Sequence, residues 1–87
     1  MPHVLIRSKV QDFAKWKIAY DSHLAVRKAV GLTERQLLRN ADNPNEVVLL
    51  FEASDLGKAR AFACSTDLKQ KMQEAGVVDK PDIYFLT

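Results

Sequence analysis

An α+β fold of the ferredoxin-like type is predicted by three observations: strand-like runs at both ends of the chain, a strand apolar on both faces at its centre, and helical segments between them. The resulting order is β, α, β, β, α, α, β, written βαββα(α)β. A chain of 87 residues makes a single domain spanning residues 1–87.

The segment HVLIRSK, from His3 to Lys9, opens with alternating branched apolar residues and reads as the first strand. Asp12 then stands where an N-cap belongs, and from Phe13 the apolar spacing becomes helical. Phe13, Trp16, Tyr20, Leu24 and Arg27 recur at steps of three and four on one stripe. Gly31 closes this helix, because glycine takes the left-handed conformation after a helix without steric cost.

TERQLLRN, Thr33 to Asn40, is a more polar second strand and is expected at a sheet edge. ADNPN turns the chain, since Asn43 ahead of Pro44 favours an extended-then-turn geometry, and a hairpin to EVVLLFEA, Glu46 to Ala53, follows. Ser54 or Asp55 caps a short helix through Ala59, Phe62 and Ala63. Ser65 or Thr66 caps another, TDLKQKMQEA, with Leu68, Met72 and Ala75 inward, and Gly76 ends it. After VVDKP, where Pro81 blocks helical continuation, DIYFLT is the last strand.

In the ferredoxin-like plan this order gives a four-stranded antiparallel sheet, 4-1-3-2, with helices on one face and EVVLLFEA central. Every inner position of EVVLLFEA is apolar, so either Val47, Leu49 and Phe51 or Val48 and Leu50 lie bare on the other face. Each such side chain is worth about 1.5–3 kcal/mol on burial, and a second copy of the sheet supplies the cover. A homodimer joined sheet to sheet is therefore expected. So small a domain buries only about 60–65% of its unfolded surface, which also favours association.

Composition removes several function classes. The chain is 47% hydrophobic and 28% charged, with three Gly and three Pro, as in a folded globular domain. Its 13 Lys and Arg against 11 Asp and Glu are interspersed, leaving no electrostatic footprint for nucleic acid. Nor do the strands carry the aromatic platforms of RNA-binding modules: HVLIRSK has no aromatic residue and EVVLLFEA has one Phe and no basic residue. The N-terminal apolar run is too short for a membrane span or a signal peptide, and one Cys makes no internal disulfide. A cytoplasmic location is the expectation.

The runs VQDFAKWKIAYDSH, RNADNPNEVVLLFEA and AGVVDKPDIYFL together resemble the dimeric α/β-barrel superfamily, and within it small bacterial proteins with antibiotic-biosynthesis-monooxygenase and cyclase-like domains. The resemblance spans nearly the whole chain. It implies two ferredoxin-like sheets paired as a dimeric α/β barrel, in a superfamily that hosts cofactor-free monooxygenases, haem degraders, lactone isomerases and cyclases. Haem-degrading members rely on an early Asn with a Trp and a His. This chain has neither Trp nor His after Gly31, which argues against haem.

The first helix carries the candidate chemistry. At about 100° per residue, Phe13, Trp16, Tyr20, His23, Leu24 and Arg27 occupy roughly a third of its circumference. Apolar walls with a few polar groups suit a small aromatic or polyketide-like ligand, with Trp16, Tyr20 and Phe51 or Phe62 as walls. An imidazole is the side chain suited to proton transfer near neutral pH, so His23 is the candidate for that role, beside Tyr20. Arg27 or Arg39 would steady developing negative charge. His3 on the first strand is a further candidate to face the cavity, and Arg7, like Arg39, either supplies positive charge to an anionic carboxylate or enolate or is a solvated edge charge. The same stripe also reads as plain core, with His23 and Arg27 reaching the rim. That alternative makes the chain a non-catalytic homodimeric binding or assembly module. Cys64 reads as a small buried hydrophobe. Scattered His and Cys give no metal-ligand spacing, and no phosphate loop or serine elbow is present, so neither a metal nor a bound cofactor is expected.

Overall fold

The computed structural model describes residues 2–78 and 81–87; Asp79 and Lys80 of the VVDKP connection lie outside the described residues. The elements are β1 (His3–Lys9), α1 (Phe13–Ser22), α2 (Leu24–Ala29), β2 (Leu32–Arg39), β3 (Glu46–Ala53), α3 (Leu56–Ala63), α4 (Thr66–Glu74) and β4 (Asp82–Leu86). The strands form one antiparallel sheet in the order β2-β3-β1-β4, which is the expected 4-1-3-2 read from the other edge.

Local chemistry sets the boundaries. The Asp12 carboxylate accepts from the Ala14 and Lys15 amides, Asp55 from Lys58, and the Ser65 hydroxyl from Leu68, so three helix starts have side-chain caps. Between β2 and β3, the Asn40 and Asn43 side chains accept from the amides of Asp42 and Asn45, two Asx turns that reverse the chain. Gly31 and Gly76 both have positive φ, +79° and +89°, as their places after helices require.

Alternation along β3 settles which face meets the helices. Val47, Leu49, Phe51 and Ala53 are buried together with Val4 and Ile6 of β1, and Trp16, Tyr20 and Ala59 from the helical layer close over them. Phe51 therefore belongs to the helix side. Val48 and Leu50 point to the opposite, uncovered face, where Leu5 is paired with both Leu50 and Tyr84, and Leu38 with Val48. Leu38, Tyr84 and Leu86 are 52%, 54% and 41% exposed there, against the usual burial of such groups. The face is rimmed by ion pairs. Arg7 reaches Glu46 at 2.6 Å and Asp82 at 2.7 Å, joining β1 to both neighbours, and Arg35 pairs with Glu52. The hydrogen bonds from Arg7 and Arg35 hold the Glu46 and Glu52 carboxyls below the usual range.

Four expectations are corrected here. The first helix is not continuous: it breaks at His23, whose φ of −98° and ψ of 13° leave the helical region while its amide turns back to the Tyr20 and Asp21 carbonyls. The break shifts the phase of the helical stripe, so Leu24 is 47% exposed and leaves the inner side. Cys64 is exposed at the C-cap of α3 and is no core residue. His3 and Arg7 alternate with Val4 and Ile6 and so face away from the helices.

Candidate functional site

A cleft opens between the helical layer and the sheet, walled by Trp16 and Tyr20 of α1, Phe51 and Leu49 of β3, Phe62 of α3, and Leu68 and Met72 of α4. Its polar lining is Ser8, His23, Arg27, Asp67 and Lys71. The enclosed volume is about 80 Å³. That is room for a few waters and falls short of the ~300 Å³ where small-molecule sites begin. A second, wider cleft of about 570 Å³ lies between α4, the end of α3 and β4, and it shares Leu68 and Met72 with the first. Since α4 buries none of its residues fully, it is the least anchored wall of both.

The aromatic groups of α1 touch in series, with one stacked pair and tilted neighbours. Phe13 and Trp16 ring centres are 5.8 Å apart, Trp16 and Tyr20 stack at 4.8 Å, and Tyr20 meets Phe51 at 6.5 Å. A cation sits near each end: Arg39 lies 3.9 Å from the Phe13 ring centre and Arg27 lies 3.7 Å from that of Tyr20. Trp16 and Tyr20, at i and i+4, meet because long helical side chains lean onto the preceding turn.

The polar ends of Tyr20 and Arg27 are already engaged. The Tyr20 hydroxyl donates to Glu34 Oε1 at 2.6 Å, and Arg27 Nη1 donates to the Tyr20 carbonyl at 2.7 Å. Burial, followed by the bond to Glu34, pushes the Tyr20 phenol well above its ordinary range, with Arg27 opposing. At neutral pH this phenol is a fixed hydrogen-bond donor. Arg27 is 7% exposed, a core residue where the sequence suggested one reaching the rim.

Of the site residues named from sequence, Trp16, Tyr20, His23, Arg27, Phe51 and Phe62 all line this one cleft. Arg39 does not: its guanidinium lies over Phe13 and donates to the Pro44 carbonyl at 2.9 Å, outside the lining. His23 lines the cleft from the break between α1 and α2. Ser8, Asp67 and Lys71 were not legible as site residues. The i, i+4 spacing of Asp67 and Lys71 beside Leu68 and Met72 was the available signal. No group of His, Cys, Asp and Glu among the described residues could hold a metal ion, and no helix among them is long and apolar enough to cross a membrane.

No protein-family model matches the chain, and no curated protein matches its sequence. Solved structures do match, over nearly the whole length. A Bordetella bronchiseptica protein provisionally named an antibiotic biosynthesis monooxygenase superposes with a TM-score of 0.80 at 13% identity, covering 99% of this chain and 94% of that one. A Caulobacter crescentus protein with the same provisional name gives 0.72 at 19% identity, covering 98% and 86%. SnoaB, a cofactor-independent oxygenase from Streptomyces nogalater, gives 0.69 at 16% identity, covering 95% and 89%. At such identities the likeness speaks for architecture alone. The chain has the fold of the antibiotic-biosynthesis-monooxygenase-like proteins.

Proposed function

We propose that the chain is a homodimeric small-molecule protein of the cofactor-independent monooxygenase or cyclase-like kind, acting on a small aromatic or polyketide-like ligand in the cleft beside His23. The observation that carries this reading is convergence: three aromatic walls from α1 and β3, Phe62 from α3, and the imidazole of His23 meet at one opening. The fold shared with a cofactor-independent oxygenase supports the choice of chemistry. Trp16, Tyr20, Phe51 and Phe62 hold the ring of the ligand, and a ligand larger than the resting cleft enters by outward movement of α4. His23 takes or returns the proton. Tyr20, fixed by Glu34, orients the ring stack. Arg27 biases the cleft towards negative charge, a part for which Arg39 is too far removed.

The uncovered sheet face supports the homodimer. It is apolar at Leu5, Leu38, Val48, Leu50, Tyr84 and Leu86 and edged by paired charges, and a two-fold copy meets it with an identical patch.

A second reading is favoured by one specific observation: the resting cleft holds only about 80 Å³, and two of its polar groups are spent on internal partners. On this reading the chain binds or assembles without catalysis. Oxygen uptake and product formation with a panel of quinols, anthrones and aromatic acids separates the two. Catalysis by His23 is expected to fall at least ~100-fold in His23→Ala with affinity retained. Binding with no turnover in the wild-type chain supports the second reading.

A further inference from the structure

We infer that Lys71 is the specificity-determining residue of the cleft and selects ligands bearing an anionic oxygen, a carboxylate or phenolate, over their neutral isosteres. The inference rests on the proposed aromatic-ligand reading of the cleft and adds the ligand's charge to it.

Four ionisable or permanently charged side chains line the cleft besides the phenol of Tyr20: His23, Arg27, Asp67 and Lys71. Arg27 is committed, stacked on Tyr20 and bonded to its carbonyl. Lys71 is half-buried on the inner side of α4, and its ammonium has no hydrogen bond or ion pair among the described residues. Asp67 precedes it by one turn, the spacing at which Lys17 and Asp21 close to 2.6 Å on α1, yet the Asp67 and Lys71 side chains form no such pair. Asp67 is exposed in the first turn of α4, where the helix N-terminus already favours its charge. Lys71 lies beside an apolar wall that excludes part of the competing water, so an anion seated against that wall gains from a charge-assisted bond to its ammonium. With Arg27 and Lys71 against Asp67, the charged side chains of the cleft leave it net positive.

The geometry also fixes which end of the ligand is read. The ring contacts lie on α1, β3 and α3, whereas Lys71 reaches in from α4. A ring seated on Trp16 and Phe51 therefore turns its anionic substituent towards α4.

Trp16 is the only tryptophan and lines the cleft, so its emission reports occupancy. Benzoate and benzamide, matched in shape and differing in charge, are titrated against the wild-type chain and Lys71→Gln, with Lys71→Arg as the charge-conserving variant. Benzoate is expected to bind the wild-type chain about five- to tenfold tighter than benzamide, Lys71→Gln to reduce that ratio below about twofold with benzamide affinity unchanged, and Lys71→Arg to restore it. A wild-type ratio near one, or one that persists in Lys71→Gln, overturns the assignment of Lys71 and leaves the aromatic cleft standing. Failure of both compounds to bind overturns the cleft reading and this inference with it.

Discussion

Arg27 holds its guanidinium 3.7 Å from the centre of the Tyr20 ring while donating to the carbonyl of the same residue at 2.7 Å. One side chain from α2 thus ties down both the ring and the backbone at the end of α1, across the break at His23. Replacing it with Met keeps most of the stem and removes both contacts, leaving the Tyr20 carbonyl only its bond from the His23 amide. Arg27→Met is expected to lose about 1–3 kcal/mol of stability in urea denaturation at fixed protein concentration. Unchanged stability would mean that the stack is incidental to the fold.

Tyr20 gives a pH signature. Its folded-state phenol titrates above the unfolded value near 10, so the folded chain retains a proton that the unfolded chain releases. The stabilisation is fully present below about pH 10 and is lost as pH rises further, with a slope approaching 1.4 kcal/mol per pH unit for this single group. Tyr20→Phe is expected to flatten the alkaline limb of the stability profile. At neutral pH it should cost about 0.5–1.5 kcal/mol for the lost bond to Glu34. An identical alkaline slope in the two proteins contradicts the assignment.

Gly31 is constrained twice. Its φ of +79° is unfavourable for other residues, and an added Cβ would lie 2.0 Å from Ser54 Oγ and 3.2 Å from Ser54 Cβ. Gly31→Ala is expected to lose about 2–3 kcal/mol, of which Ser54→Ala recovers only part, since the backbone term remains. Thermal denaturation of the two single variants and the double variant measures that partition.

For the uncovered sheet face, Leu50→Asp places a charge at its centre beside Leu5. Sedimentation equilibrium is expected to show a wild-type dimer and a Leu50→Asp monomer. Ile18→Asp, on the outer side of α1 where Ile18 is 72% exposed, should leave the dimer intact. A wild-type monomer at micromolar concentration removes the barrel from consideration.

These residues also mark where the sequence was readable. EVVLLFEA matched β3 residue for residue, and the Asp12 cap, Gly31 and Gly76 fell at the expected boundaries, because period-two alternation, caps and glycine conformations are local properties. The break at His23 was hidden, since no Pro or Gly marks it and helical periodicity extrapolates straight through; Leu24 was misplaced for that reason. Burial of Arg27 was hidden too, because hydropathy treats a guanidinium as solvated although an aromatic face can receive it. Lys71 and Asp67 depended on where α4 settles against the sheet, a tertiary matter that no local pattern encodes. Which face Phe51 occupies likewise required the register with β1.

The cleft as a ligand site is tested most directly by the melting temperature of the wild-type chain and of Ala75→Leu, which adds bulk at the cleft wall, across aromatic acids, quinones and haem. At least one aromatic acid or quinone is expected to raise the wild-type melting temperature in a concentration-dependent way and to leave Ala75→Leu unmoved, with haem without effect. No shift with any ring compound, or an equal shift in both proteins, contradicts a ligand site at Trp16, Tyr20 and His23.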